Sequence, residues 1–504
     1  MLWVGAPPLP AAATRVIFCD PTQPPTLKGV VRMKAAAESL IPWCQALVDP
    51  DRYEKPRKLQ DYLQAIPRLA SLADVPSGTP VLVRGDVDAK PGAKIGEGDV
   101  RLRSMVPTLK FGRARGWKQI IFGHIGRKPE GSLQAVAARI GELVGAPATL
   151  LTDWWDEGAE SVAPAAIEAI RAAAPGSILV LDNTRRYKIE RALWDATADD
   201  IPQLSESLAR FANQLAENVA QIYINEALSA GSLDTSSTVV PSAMDRVALG
   251  EYVAQEFDGP MRRCLATELV VFSGLKADKL DDLEAMIARG TVRWVFTAGS
   301  LAMALKKAEA ESEGRAFSLG VAEDPAHQDK PYFIPRERVD QARNMLLSGR
   351  SKGIEFVLPI DFVLADGGVS STISAGQQQF DVGPATSELF ELKIGQFISQ
   401  VRNQPGRHEP AVAFYNGVFG MFEDARFEQG TRRFIQQLKR MKEAGVEVYI
   451  GGGEGGTALE RYGADDWVTH VFTAGGTVLA ALGSEPVPYL VALWMAAGGQ
   501  TVRK

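Results

Sequence analysis

From residue 80 onward the chain alternates short β-rich runs with amphipathic stretches, and this rhythm limits its fold more than any other feature. VLVRGDV is followed by MVPTLKFGRARG, QIIFGHIG by SLQAVAARIGELVG. A switch between two-residue and 3.6-residue periodicity at this interval is the pattern of βαβ units in a parallel sheet. The rhythm continues through SILVLDNTR (177–185), IYINEAL (222–228), ELVVFSG (268–274), VRWVFTAG (292–299), EFVLPIDFVLA (355–365), AVAFYNG (411–417), VEVYIGGG (446–453) and VTHVFTAGG (468–476). These are too many strands for one sheet, and 504 residues exceed one ordinary core, so two lobes are expected. The segment PSAMDRVALGEYVAQEFDGP (241–260) reads as a loop and connecting helix between them. The expected division is 1–70 as an extension, 71–245 as the first lobe, 246–260 as the hinge, 261–485 as the second lobe and 486–504 as a segment returning to the first.

Composition narrows the class. Hydrophobic residues make up 46% and charged residues 23% of the chain, the balance of a soluble globular protein. A net charge of −6 provides no general field for nucleic acid, so an anion site must be built from local clusters. Cys19, Cys44 and Cys264 fall in no metal-ligand or disulfide spacing, which fits a reducing cytoplasm. The opening MLWVGAPPLPAAATRVIFCDP is broken by proline and has no leading basic segment, so it reads poorly as a secretory signal. No apolar run approaches the roughly 18 residues of a membrane span. His327, His408 and His470 stand isolated and read as surface or structural residues.

Three strands run straight into glycine-rich turns before a helix: FTAGSLAMALKKA, YIGGGEGGTALERYG and VFTAGGTVLAAL. Such turns present backbone N–H groups and the positive end of a helix to phosphate. Gly451 to Gly456 also fits the dinucleotide pattern GxGxxG. That fingerprint needs an acidic residue at the end of the next strand, where Thr473, Ala474 and Gly475 stand instead. The P-loop form is absent. In the first lobe Arg84, Arg101, Arg103, His124, Arg127, Arg185 and Arg186 lie at or after strand ends, where guanidinium groups can converge on a phosphorylated acid.

Residues 75–493 resemble the phosphoglycerate kinase family in the order and spacing of eight motifs: VLVRGDVD, GHIGR, LDNTRRYK, SGLKADKL, DVGPAT, FYNGVFGMFE, GGGEGGTA and FTAGGT. The resemblance implies two hinged lobes, each a parallel sheet flanked by helices, and reversible phosphoryl transfer between 1,3-bisphosphoglycerate and ADP with Mg2+. By the same resemblance Asp86, Asp88, Arg101, His124, Arg127 and Arg185 occupy substrate-binding positions. Lys276, Lys279, Gly299, Asn416, Glu423, Gly451, Gly452, Gly453 and Glu454 occupy nucleotide positions. Arg101, Lys276, Gly453 and Gly476 fall at catalytic ones, Lys276 as the clamp on the phosphoryl in transit and Glu454 as the magnesium carboxylate. It also implies a cytoplasmic monomer acting on small molecules, with neither nucleic acid nor membrane as partner.

This chain also departs from the family pattern. Asp88 replaces an asparagine and adds a negative charge beside an anionic substrate. NEALSAGSLDTSS replaces a basic loop, with Leu233 in place of arginine and Ser232 and Thr235 in place of histidines. Each lost charge-assisted bond costs about 1.5–3 kcal/mol, or roughly tenfold to over a hundredfold in affinity. Glu454 is one methylene longer than the family's aspartate, Gly455 follows it, and Ala474 adds a Cβ to the last glycine turn. The alternatives are therefore a weak or inactive paralogue with a binding role and a kinase for a different carboxylate.

Overall fold

The structure is a computed structural model that describes residues 35–54, 58–89, 91, 99–126, 128–274, 279–483 and 487–503. Strands β1 (Pro80–Gly85), β2 (Lys118–Phe122), β3 (Ala148–Leu151), β4 (Ile178–Leu181), β5 (Ile222–Glu226) and β6 (Arg246–Leu249) form one parallel sheet. Its spatial order is β3-β4-β2-β1-β5-β6. A second parallel sheet contains β7 (Thr267–Phe272), β8 (Trp294–Thr297), β9 (Glu355–Val357), β10 (Val412–Asn416), β11 (Glu447–Gly451) and β12 (His470–Phe472), ordered β9-β8-β7-β10-β11-β12. The strands are apolar on both faces because helices cover both: Val81, Leu82 and Val83 of β1 are fully buried, as are Val270, Val271 and Phe272 of β7.

The helices that carry or brace the loops at the strand ends are α1 (Ala37–Val48), α2 (Asp99–Ser104), α3 (Thr235–Thr238), α4 (Glu251–Glu256), α5 (Gly299–Ser312), α6 (Gly453–Tyr462), α7 (Gly475–Leu482) and α8 (Pro488–Ala496). Three strand expectations change. Residues 241–260 do not form only a loop and helix, because Arg246–Leu249 pairs with β5 as an edge strand. The chain leaves the first sheet through α4 and a π-helical turn, Phe257–Met261. EFVLPIDFVLA divides at Pro359: its first part is β9, and Phe362–Leu364 joins a separate three-stranded antiparallel sheet with 369–370 and 379–382. β3, whose residues ATLL are short and half-exposed, gave no strand signal of its own.

Within the N-terminal extension, residues 1–34 lie outside the described part. The remainder is packed onto the first lobe. Leu40 and Cys44 of α1 are buried in a cluster with Leu193, Ile201, Leu208 and Val239. Trp43 donates its indole Nε1–H to the carbonyl of Thr238 at 2.9 Å, closing the end of α3. At the other terminus α8 packs against α3 and β6, and Val502–Arg503 pairs antiparallel with Tyr53–Glu54.

Glu226, at the end of β5, anchors the connecting helix. It accepts from Thr108 Oγ1 at 2.7 Å and from the backbone N–H groups of Tyr252 and Val253 in the first turn of α4. Burial raises its pKa to about 7. The folded carboxyl therefore keeps a proton that the unfolded chain releases near 4.5, and folding loses stability as pH rises through that interval. Glu226→Gln should remove this loss, worth up to about 3 kcal/mol from the size of the shift. Urea midpoints at pH 5 and pH 8 that move in parallel in both proteins would disprove it.

Gly299 opens α5 at φ +65°, and a Cβ there would stand 2.6 Å from the carbonyl oxygen of Gly274. Gly299→Ala should destabilise the fold by at least about 1–2 kcal/mol from the left-handed backbone alone, read as a lower urea midpoint.

Candidate active site

The carboxyl ends of the strands in both sheets lead into loops that carry charged and glycine-rich segments, the location expected of ligand sites in open parallel sheets. On the first sheet, Arg84 is the penultimate residue of β1, His124 follows β2 and Arg185 follows β4. All three are buried, and all converge on Asp234, whose carboxylate is fully enclosed. His124 Nδ1 is 3.2 Å from Asp234 Oδ2, Arg84 NH2 is 3.5 Å from the same oxygen, and Arg185 NH2 is 3.7 Å from Oδ1. Trp194 completes the shell by donating Nε1–H to Oδ1 at 2.9 Å, and its ring lies beneath the Arg185 guanidinium.

A second buried acid, Glu190, lies behind this group. It accepts from Thr184 Oγ1, Thr235 Oγ1, Ser236 Oγ and the backbone N–H of Ser236. Burial and the neighbouring Asp234 raise its pKa. Burial also acts to raise Asp234, but the imidazole and the two guanidinium groups outweigh it and hold the carboxyl below its usual range. Burial lowers the pKa of His124. His124, Glu190 and Asp234 bring their donor atoms within 4.8 Å of one another, a spacing that would suit a metal. The cation there is Arg84, which donates to Ser236 Oγ and the Gly85 carbonyl and meets His124 Nδ1 at 3.1 Å.

Arg101, on α2, lies nearer the second lobe. Its guanidinium is 3.7 Å from Asp86 and 3.6 Å from Asp88, donates to the Asp88 carbonyl, and reaches the carbonyl of Thr473 at 3.3 Å. Asp86 is buried, accepts from Ser229 Oγ at 2.7 Å and has Oδ2 without a hydrogen-bond partner. Asp88, the extra negative charge, is compensated: it accepts the Gly126 N–H at 2.8 Å and faces Arg101. The carbonyl of Gly126 in turn accepts from Arg185 at 2.7 Å. Arg103 and Arg186 do not join the group. The first pairs with Asp99, and the second with Asp182 and Asp153. Arg127 lies outside the described residues.

Across the cleft, Thr473 Oγ1 meets Tyr252 Oη at 2.8 Å, and Thr477 in the first turn of α7 donates to the Leu228 carbonyl at 2.6 Å. Two glycine turns are stacked here: a Cβ on Gly475 would stand 2.6 Å from the Cα of Gly452. Gly476 and Gly453 face open space, and Gly451 ends β11 beneath them. Ala474, at φ −137°, is buried in the apolar cluster that contains Val478 and Leu482. Lys279 donates to the Ser273 carbonyl at 2.8 Å and to Asn416 Oδ1 at 3.0 Å, and Asn416 donates to the Gly451 carbonyl. This chain of bonds ties together the ends of β7, β10 and β11. Glu454, in the first turn of α6, and Glu423, in the loop after β10, are both exposed. Lys276 lies outside the described residues.

An exposed carboxylate beside open glycine backbone is a hard-oxygen donor suited to Mg2+ in a nucleotide complex, so Glu454 and its turn fit the expected metal. One surface cavity lies away from these groups. Glu268, Arg293 and Glu355 line it at the opposite, amino ends of β7, β8 and β9. Sequence reasoning missed Asp234, Glu190 and Trp194. Asp234 was the one visible signal, as a lone acid in a segment of small residues. His470 is structural, its Nε2 2.8 Å from Glu256 at the end of the connecting helix.

Known proteins share the sequence pattern and the fold of this chain. Phosphoglycerate kinase from Candida glabrata is 27% identical over 434 residues, covering 81% of this chain and 94% of that protein. Cytosolic phosphoglycerate kinase from Triticum aestivum is 26% identical, covering 82% and 95%. The same fold is seen in the phosphoglycerate kinase structures of Pyrococcus horikoshii, with TM-score 0.65, 20% identity and coverage of 86% and 99%, and of Coxiella burnetii, with TM-score 0.60, 22% identity and coverage of 84% and 99%. Among the described residues no helix is long and apolar enough to cross a membrane. With the family described as "Phosphoglycerate kinase" matching residues 72–485, this chain belongs to the phosphoglycerate kinase family.

Proposed function

We propose that this protein transfers a phosphoryl group between an adenine nucleotide and the carboxylate of a small acid, forming an acyl phosphate reversibly. The observation that carries this reading is Arg101. It lies between Asp86 and Asp88 on one side and the Thr473 carbonyl, next to the last glycine turn, on the other. A guanidinium between an acid-binding edge and a nucleotide turn can neutralise a phosphoryl group passing from one to the other. Such transfer depends on alignment and charge more than on covalent help from the protein. In the ATP-consuming direction a carboxylate oxygen bonds to the γ-phosphorus, the bond to the bridging β–γ oxygen breaks, and ADP leaves with that electron pair.

The nucleotide phosphates would lie along the Gly451–Gly453 and Gly475–Gly476 turns, whose backbone is unobstructed at Gly453 and Gly476. Lys279 and Asn416 would hold the strand ends beneath them. Mg2+, held by Glu454, would supply charge neutralisation on the phosphates. By its motif, Lys276 would clamp the transferred group. The relatives' name makes 3-phosphoglycerate the first acid to test. A kinase for a different carboxylate is favoured by one observation, the Asp234 carboxylate already lying among Arg84, His124 and Arg185.

The test is hydroxylamine trapping of acyl phosphate from Mg-ATP and a panel of carboxylates that includes 3-phosphoglycerate. Arg101→Ala should lower kcat/KM roughly tenfold to over a hundredfold while leaving ATP affinity within about twofold. An unchanged kcat/KM would remove Arg101 from the reaction. Glu454→Gln should raise the Mg2+ concentration needed for half-maximal rate about tenfold, the effect of losing roughly 1.4 kcal/mol of carboxylate contact. An unchanged requirement would place the metal elsewhere.

A further inference from the structure

Asp234 is the N-cap residue of α3, yet its side chain makes no capping bond. At that position an aspartate ordinarily accepts a backbone N–H of the first helical turn. Here Glu190 accepts the Ser236 N–H instead, and the Asp234 carboxylate turns away to His124, Arg84, Arg185 and Trp194. Those groups form the kind of site that an external phosphate or carboxylate would need: two guanidinium groups, an imidazole and an indole N–H on one centre. The centre is closed, with Arg84 2% exposed, His124 and Arg185 each 7% exposed, and Asp234 at 0%. An incoming anion could reach these cations only by displacing Asp234. Among the described residues the two guanidinium groups share this centre with two acids, the Asp234 carboxylate and the buried Glu190, which offset part of their charge.

The carboxylate is also held firmly in place. α3 begins at Thr235, and Trp43 of the extension caps its last carbonyl through Thr238. Leu233, the residue before Asp234, packs on the apolar clusters beneath the extension. Adding arginine at Leu233 alone would leave the pocket filled.

We propose that Asp234 is a built-in occupant of the anion pocket, and that the acid phosphorylated by this protein therefore carries no phosphate group of its own. The inference rests on the phosphotransferase reading for its second half only, because occupancy of the pocket can be measured without turnover. The substrate class is a short carboxylic acid with an uncharged far end, engaged at the cleft by Arg101.

Isothermal titration of the full chain with inorganic phosphate and with 3-phosphoglycerate tests the pocket. The native protein should show no saturable binding of either at millimolar concentration. Asp234→Asn keeps the size of the side chain and removes its charge, and it should gain at least tenfold in affinity for both. Asp234→Ala, checked for a native circular dichroism spectrum, should gain as much or more. Micromolar binding of 3-phosphoglycerate by the native protein, or no gain in a folded Asp234→Asn protein, overturns the inference. Hydroxamate formation from unphosphorylated acids but not from 3-phosphoglycerate supports it; the reverse preference overturns it while leaving the phosphotransferase reading intact. Hydroxamate from no acid sinks that reading and with it the substrate class, whereas the titrations still decide whether Asp234 fills the pocket.

Discussion

Parallel strand pairing is the constraint on which the rest of this molecule depends. A parallel strand cannot return to its neighbour through a tight hairpin, so each crossover goes through a helix or a long loop. The turns after the strands consequently gather along one edge of each sheet. In the first sheet this brings together Arg84, His124 and Arg185, which lie up to about one hundred residues apart in sequence. In the second it stacks the turn after β11 on the turn after β12, so closely that only glycine fits at Gly475.

Specific hydrogen bonds join the two edges. Glu226 holds the first turn of α4, and α4 holds Thr473 through Tyr252. Arg101 and Thr477 add direct links between the first lobe and the segment that ends β12 and begins α7. The extension adds a different kind of contact. α1 buries Leu40 and Cys44 and caps α3, which makes the loop bearing Asp234 part of the core of the first lobe.

That loop is where charge distribution redefines the site. An arginine cluster on a strand edge usually signals an anion ligand, and here the ligand is part of the chain. Removing only one partner from such a buried group would be expensive, since an unpaired buried charge costs about 3–5 kcal/mol. Asp234 therefore stabilises the cations that surround it and at the same time withholds them from solvent.

The fold class was legible because periodicity is a local property: β1, β2, β4, β5, β7, β8, β10, β11 and β12 each announced themselves by an apolar run followed by a turn. β3 and β6 did not, because ATLL and RVAL are short edge segments whose strand conformation depends on a neighbour. Residue identity likewise gave Arg84, Arg101, His124, Arg185 and the glycine turns as candidates, since each carries its chemistry in its type. What each side chain touches was decided only by tertiary structure. Arg103 and Arg186 turn to local acids, Asp88 is neutralised by Arg101 and a backbone N–H, Ala474 packs inward, and Asp234 enters the pocket from a loop more than forty residues beyond Arg185. The sequence by itself determined two parallel sheets with basic and glycine-rich edges, because hydrophobic spacing and residue type suffice for that. Whether the basic edge is open or filled was a matter of three-dimensional distance, because Coulomb energy depends on separation in space and on burial, and neither is written in the order of the residues.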